Sequence, residues 1–580
     1  MKYSLKRNSA TGRITLLQVL FFVFILIIVV KLFYLQIIKH NYYENLASQR
    51  HFSLEELKPD RGEIFVLDSQ GQKILIASNQ QHYLLYGVPS LIGKPTTTIA
   101  LIEKVLPMND EERWQTFLKL DKSKDPYEPL QHNITQIQKD RLEKIFENIE
   151  PKVIGFQKEV KRVYPQSNLY SHVLGFIGYA NDQRVGQYGI EEYFEKELAG
   201  QGGMSKIEKD PKGRLISFGE NEFDTLESGA DILLTLDPTI QFKACEIIKN
   251  WQEKMLAEDG SLIVINPNTG DILAMCNTPD FDLNNYNQVE DINIYFNKIV
   301  NEAYEPGSVF KPITMAAALD LEKVTPETEY FDEGFLKFGR DTIHNANNKT
   351  YGHVNMTQVL ENSINTGVAS MAVEKIGQKN LKKYVENFGF GEKTNINLPV
   401  EALGDISSLN KKSDIYIATA SYGQGIMTTP LQLITAFSAI ANGGILMQPK
   451  IVKQINFSNG EIEERENKQV RRVITSKTAN LLKAMLVSVI KNGQAKRAGV
   501  AGYYVAGKTG TANIADKSGG YSEQTNHTFV GFAPVNSPKF VILVKLSKPK
   551  NVPFSSDSAA PAFGQMTEFL LQYYQIPPDF

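Results

Sequence analysis

The stretch "GYYVAGKTGTAN", Gly502 to Asn513, supports two incompatible folds. Gly502, Gly507, Lys508 and Thr509 satisfy G-x-x-x-x-G-K-[ST], the loop that cradles phosphates at the head of a helix in nucleotide hydrolases. Read from Lys508 onward, the same residues spell K-T-G-T, and "YYVAGKT" has the texture of a strand. The phosphate loop needs a helix opening at Lys508-Thr509 and a downstream acidic residue for magnesium. Gly510 and the β-branched Thr511 open helices poorly. The best acidic strand, "ILLTLD" ending at Asp237, lies far upstream. The strand reading is therefore preferred, and the remaining motifs must say what chemistry it serves.

Two further motifs precede it in order. Ser308-Val-Phe-Lys311 follows Gly307 and opens an apolar helix, and Ser363-Ile-Asn365 falls between helical stretches. Each is weak alone: Ser408 to Lys411 and Ser547 to Lys550 also fit S-x-x-K, and Ser408-Leu-Asn410 also fits S-x-N. Order and context separate the set from these decoys. Positions i and i+3 share a helical face, so the Lys311 amine approaches the Ser308 hydroxyl. A hydroxyl is a weak nucleophile and needs a base beside it. Lysine titrates at about 10.4, so Lys311 serves near neutrality only if burial and a second cation, Lys508, lower its pKa. The backbone N–H groups of Ser308 and Thr511 are expected to hold a developing oxyanion. Ser363 is expected to relay a proton to the leaving amine, and Asn365 to orient the substrate amide. Lys508, Thr509, Gly510 and Thr511 form the expected seat for a terminal carboxylate.

At the N-terminus, Ile14 to Val30 is an apolar run broken only by Thr15 and Gln18, and "LFYLQII" follows Lys31. This length spans a bilayer. Lys2, Lys6, Arg7 and Arg13 precede it with no acidic residue, which places residues 1–13 in the cytoplasm and nearly all the rest outside. No small-x-small cleavage site follows, so an uncleaved anchor over 14–38 is expected. A formal net charge of −3 gives no electrostatic case for nucleic acid. Cys245 and Cys276, the two cysteines, are too few for a disulfide scaffold or a four-ligand zinc site, and the eight histidines show no ligand spacing. No metal or cofactor is expected.

Residues 39–227 read as a mixed, charged, non-catalytic domain, with "NDEERWQ" and "QKDRLEKIFENIEPK" as exposed helices. Near Ser228 the texture changes. Two apolar runs flank Pro267-Asn268-Thr269-Gly270, and two more flank Asn536-Ser537-Pro538-Lys539; both are hairpin signals. Between them "PITMAAALDLEK", "VASMAVEKIG" and "TPLQLITAFSAIANGG" carry helical spacing. An antiparallel sheet built from both ends of residues 228–580, with helices packed on it, follows. The fold class is α/β in the α+β sense.

The ordered S-x-x-K, S-x-N and K-T-G set is the signature of penicillin-recognising serine enzymes. With "YEPGSVFKP" (Tyr304 to Pro312), "SYGQGIMTTPLQL" (Ser421 to Leu433) and "AAPAF" (Ala559 to Phe563), the chain resembles the class B penicillin-binding proteins over nearly its whole length. "RGEI" (Arg61 to Ile64), "RVYP" (Arg162 to Pro165), "HVLGFIG" (His172 to Gly178) and "GIE" (Gly189 to Glu191) are similar to that family's pedestal, or dimerisation, module. One departure is the late, altered Asp68-Ser69-Gln70-Gly71. The resemblance implies a serine β-lactamase-like transpeptidase domain and a peptidoglycan D,D-transpeptidase that forms a Ser308 acyl-enzyme on D-Ala-D-Ala stem peptides and is blocked by β-lactams. Glu305 and "NFGFGEKTNINLPVEA" look more like division-type than elongation-type enzymes. No glycosyltransferase segment is visible, so a polytopic glycan polymerase and other cell-wall assembly proteins are the implied partners. A D,D-carboxypeptidase or β-lactamase and a non-catalytic sensor or scaffold are the rivals; no E-x-x-L-N lies between Ser363 and Lys508 to activate a deacylating water.

Overall fold

The computed structural model describes residues 10–40, 42–43, 52–57, 59–180, 183–208, 222–223, 226–516 and 519–580. Lys2, Lys6 and Arg7 of the expected cytoplasmic tail lie outside them. The chain divides into two units, one of residues 1–60 with 200–228 and one of the remainder.

In the first unit a helix runs from Ala10 to Phe33 and continues as a wider turn over Tyr34–Ile38. No proline or glycine interrupts Ile14–Ile38, and its 18-residue apolar window has a mean hydropathy of 3.0 with no residue of it buried. An apolar helix with no protein covering it suits lipid. The unit also holds a small antiparallel sheet of Phe52–Leu57, Gly203–Glu208 and Glu222–Phe223.

The second unit contains the antiparallel sheet expected from the two hairpins. Its strands run in the order Ile272–Thr278, Asp259–Ile265, Phe540–Ser547, Tyr521–Ala533, Ala506–Ala515. Every residue of Asp259–Ile265 and Phe540–Ser547 is buried, so both faces of the sheet centre are covered. Helices Pro238–Lys254 and Ala559–Tyr573 pack on it together, and Pro430–Ala441, buried at all its positions, packs on the same central strands. That helix is mostly apolar because it lies inside the domain, and its buried Gln432, Thr435 and Ser438 are each hydrogen-bonded to backbone carbonyls. The K-T-G strand Ala506–Ala515 forms one edge, with only Tyr521–Ala533 beside it.

A second sheet of seven strands carries the pedestal segments. Within the mixed domain 39–227, "NDEERWQ" and "QKDRLEKIFENIEPK" fall on the helices Asp110–Leu120 and Gln136–Phe146 as expected, whereas no expectation covered the spine of this sheet, the fifteen-residue strand Lys73–Gly87. It pairs with Ile64–Leu67, Glu128–Ile134 and Ile154–Val163. Its burial does not alternate cleanly along its length, and this removes the two-residue periodicity that betrays a strand. Asp231–Leu234 joins the same sheet through a parallel pairing with Ile64–Leu67 and an antiparallel one with Val452–Asn456. The altered Asp68 to Gly71 segment makes an ordinary hairpin turn, in which Asp68 Oδ1 accepts from the N–H groups of Gln70 and Gln72.

The pedestal motifs meet in one buried ion cluster. Glu191 is fully buried, and its carboxylate accepts from Arg61 Nε at 2.7 Å and Arg162 Nε at 2.8 Å. Arg162 also donates to Gly62 O, and Arg61 reaches Glu195 at 2.7 Å. Burial alone would raise the Glu191 pKa, but the two guanidinium groups outweigh it and hold the carboxyl below its usual range. The stability this gives is present above the unfolded carboxylate pKa and is lost as pH falls through the lower folded value. Glu191→Ala leaves two buried cations without their anion. A loss of about 3–5 kcal/mol is expected, read as a lower chemical-denaturation midpoint.

Cys245, on Pro238–Lys254, and Cys276, on Ile272–Thr278, form a disulfide with Cα atoms 5.3 Å apart. The spacing of two cysteines in sequence gives no hint of it, because only the packing of helix on strand brings them together.

Candidate active site

The nucleophile segment is clamped before it becomes helical. Tyr304 exchanges backbone hydrogen bonds with Thr428, at 3.0 and 2.9 Å, and Gly307 N donates to Gly423 O at 3.0 Å. Gly307 has φ +60°, and a Cβ on Gly423 would fall 2.3 Å from Gly307 O, so both positions require glycine. This accounts physically for "SYGQG" and "EPG". A single tight turn, Gly307–Phe310, then passes into the helix Lys311–Asp320, with Pro312 in its first turn where no N–H is needed. Ser308 is half-buried at the head of that helix, and its hydroxyl makes no hydrogen bond with the described residues.

Lys311, one turn on, is fully buried. Its Nζ donates to Ser363 O, to Ser363 Oγ at 3.1 Å and to Asn365 Oδ1 at 2.8 Å. Lys508, 1% exposed, donates to the same Ser363 Oγ at 3.0 Å from the opposite wall. Burial, and then the Lys508 charge, push the Lys311 amine well below the ordinary lysine range. Burial lowers Lys508 to about 7. If both amines are charged, the shared hydroxyl only accepts; once one is neutral, the hydroxyl has a base to which it can donate. Ser363 itself has φ +54°, a conformation uncommon outside glycine and typical of functional loops.

The K-T-G strand lies directly against the nucleophile turn. A Cβ on Gly510 would sit 2.9 Å from both Pro306 O and Val309 Cγ1, so any side chain there would displace Ser308. Thr509 Oγ1 accepts from Lys508 at 3.3 Å. Thr511 Oγ1 donates to Ser555 Oγ at 3.2 Å and accepts from Ser555 N at 3.0 Å, so this hydroxyl already has partners on the segment before the last helix.

All eight expected site residues thus fall on three adjoining walls. Lys311, Ser363, Asn365 and Lys508 are hydrogen-bonded together, whereas Ser308 Oγ and the Lys311 amine are not bonded to each other. Catalytic contacts commonly tighten only when substrate arrives. The decoys separate cleanly: Ser408 is buried in a short turn, and Ser547 accepts from Lys545. His527 hydrogen-bonds Ser558 and Thr525, and burial lowers its pKa to about 4, as suits a structural histidine.

Two structural roles escape a reading of the motifs. Glu305 ties the walls at the rim, accepting from Gly425 N at 2.9 Å and Tyr521 OH at 3.0 Å. Asn345 accepts from the backbone of Asn365 and Thr366 behind the S-x-N loop. Nothing in their spacing signals either one, since both act across the fold.

A half-exposed serine at a helix head, two buried lysines sharing a second serine, and a lysine-bearing edge strand define a serine acyltransferase site. The comparisons with known proteins agree. The family model for the penicillin binding protein transpeptidase domain matches residues 260–568, and that for the penicillin-binding protein dimerisation domain matches 56–234. The chain is 31% identical to Stage V sporulation protein D of Bacillus subtilis, over 98% of this chain and 87% of that one. It is 30% identical to peptidoglycan D,D-transpeptidase FtsI of Buchnera aphidicola, covering 99% and 97%. The crystal structure of penicillin binding protein 2X from Streptococcus thermophilus superposes with a TM-score of 0.74 at 22% identity, over 90% of this chain and 80% of that one, a likeness of fold. The chain belongs to the class B penicillin-binding proteins, the peptidoglycan D,D-transpeptidases.

Proposed function

We propose that Ser308 is the nucleophile of a cross-linking cycle on D-Ala-D-Ala stem peptides. The observation that carries this reading is Ser363 Oγ, shared by the amines of Lys311 and Lys508 at 3.1 and 3.0 Å. Neutral Lys311 takes the Ser308 proton as Oγ attacks the penultimate carbonyl. The N–H groups of Ser308 and Thr511 receive the oxyanion. The proton passes through Ser363 to the departing D-alanine amine, which leaves an ester on Ser308. An acceptor amine then attacks the ester, forms the cross-link and returns the proton to Ser308. Asn365 keeps one amide N–H for the substrate, since the other is bonded to His344 O. Lys508 and Thr509, with the backbone of Gly510 and Thr511, seat the terminal carboxylate. A β-lactam enters the same first step, but its ring opens and the leaving amine stays attached.

The full chain, given stem peptide and an amine acceptor, should release D-alanine and yield a cross-linked dimer. Release of D-alanine without dimer, at any acceptor concentration, would make it a carboxypeptidase.

The anchor over 14–38, the pedestal over 39–227 and the transpeptidase domain over 228–580 suit a single-pass protein of the cytoplasmic membrane. The basic residues before Ile14 favour a cytoplasmic N-terminus and an extracytoplasmic catalytic domain. The Cys245–Cys276 disulfide suits an oxidising exterior. The division role rests on the Glu305 context and on the names of relatives such as FtsI; depletion should produce filaments, and rounded cells would indicate elongation. Gln18, Lys31 and Gln36 place polar groups along the anchor, where such groups tend to face protein or the interface. In the simpler reading Lys31 reaches the outer headgroups and Gln18 lies near the inner ones; in the sharper one, a helical face contacts a polytopic glycan polymerase. Replacing residues 1–39 with an unrelated single span should preserve penicillin acylation but abolish complementation of a depleted strain. Full complementation would leave the segment as a tether.

A further inference from the structure

Between the nucleophile helix and the S-x-N loop the chain makes an arm of two antiparallel ribbons. Glu329–Asp332 pairs with Gly352–Asn355, and Phe335–Phe338 pairs with Asp341–His344. The base of this arm brings two polar side chains to the back of the catalytic loop. Asp332 is 0% exposed and has no ion-pair partner among the described residues. Its carboxylate is instead solvated by donors: Gly334 N at 3.1 Å, Tyr351 N at 2.8 Å, Thr366 Oγ1 at 2.6 Å, and Asn345 Nδ2 at 3.0 and 2.9 Å. Burying a carboxylate without a cation is expensive, and a full set of hydrogen bonds is what makes it tolerable.

The Asn345 amide has one orientation. A carboxylate only accepts, so Nδ2 must face Asp332. Oδ1 then faces the loop and accepts from Asn365 N at 3.0 Å and Thr366 N at 3.1 Å, while the single Thr366 hydroxyl proton goes to Asp332. These are the first N–H groups of the helix Asn365–Ser370, two residues past the left-handed Ser363. The neighbouring His344 O accepts from Asn365 Nδ2 at 2.9 Å, which aims Asn365 Oδ1 at Lys311 Nζ, 2.8 Å away.

We propose that Asp332 and Asn345 are positioning residues for acylation: the buried carboxylate fixes the Asn345 amide, which pins the backbone of Asn365 and thereby sets Ser363 and Asn365 around the Lys311 amine. The proposal rests on the reading of Ser308 and Lys311 as nucleophile and base. It differs from a folding role in what it predicts. A folding defect lowers the fraction of protein that labels, whereas a mispositioned loop slows the chemical step in protein that labels fully.

The test is stopped-flow acylation of the full chain by benzylpenicillin, separating the binding constant from the first-order acylation constant and titrating the labelled fraction. Asn345→Ala should label to completion with its acylation constant reduced roughly tenfold to hundredfold and its binding constant little changed. Asn345→Asp sets two carboxylates side by side and should be slowed at least as much. The exchanged pair Asp332→Asn with Asn345→Asp restores one donor and one acceptor between the two positions, and should recover at least about tenfold over Asn345→Asp alone. Wild-type acylation constants in the labelled fraction of both single variants would overturn the proposal. So would an exchanged pair no faster than Asn345→Asp, or failure of all three variants to fold. Wild-type protein that takes no adduct, or keeps it in Ser308→Ala, would overturn the underlying reading instead.

Discussion

Ser308→Ala is expected to erase the covalent penicillin adduct, seen by intact-mass analysis as a single added β-lactam in the parent protein and none in the variant. Loss of a catalytic nucleophile costs on the order of a millionfold in rate, far beyond what the oxyanion donors and binding contacts recover. The substitution should leave the fold alone. The Ser308 hydroxyl makes no hydrogen bond with the described residues, and the clamp around it is built from the backbone of Tyr304, Gly307, Gly423 and Thr428. An adduct that persists in the variant would move the nucleophile elsewhere, and the half-buried Ser363, bonded to both lysines, is where to look first.

The second large effect separates the two lysines. Lys311→Ala removes the base and should slow acylation about 10²–10⁴-fold at every pH. Lys508→Ala leaves the base in place, and its main defect should be in binding substrates that carry a terminal carboxylate, about ten- to hundredfold. Its pH profile should also move, and the sign is fixed by the causes of the Lys311 shift. Burial lowers the Lys311 pKa most, and the Lys508 charge lowers it further. Acylation needs the neutral amine, so the rate climbs as pH rises through the folded Lys311 pKa. Removing Lys508 takes away the repulsion, raises that pKa and displaces the climbing limb towards alkali. In the parent, the second-order constant should fall again as Lys508, lowered to about 7 by burial, loses its charge. A bound carboxylate favours the charged amine, so this falling limb should fade from the first-order constant. The two amines share Ser363, and the limbs belong to the coupled pair. Wild-type acylation by Lys311→Ala would place the base elsewhere.

What was legible in the sequence was whatever short-range chemistry encodes. The anchor is a run of apolar residues, and length with hydropathy suffices to define it. The two hairpins of the catalytic sheet declare themselves by apolar runs about Pro267 to Gly270 and Asn536 to Lys539. Ser308-Lys311, Ser363-Asn365 and Lys508 to Thr511 each sit within four residues of chain, so one helical turn, one loop or one strand fixes their internal geometry. The pedestal strand Lys73–Gly87 was less legible, because its uneven burial blurs the alternation that a strand facing one core would show.

The sequence by itself therefore determined the apolar N-terminal helix, the α+β order of the catalytic domain and the spacing within the three motifs. The tertiary structure alone decided how the motifs meet and what holds them. Only there do Lys311 and Lys508 converge on one hydroxyl, Gly510 press against Val309, and Arg61, Arg162 and Glu191 close around a buried charge. Only there do Cys245 and Cys276 join, and Asp332 and Asn345 support a loop remote from them in sequence. The reason is physical. A motif records interactions over one turn or one strand pairing, where chain geometry fixes the partners. Burial, pKa and long-range hydrogen bonds depend on which surfaces the whole core brings together, and no local spacing encodes that.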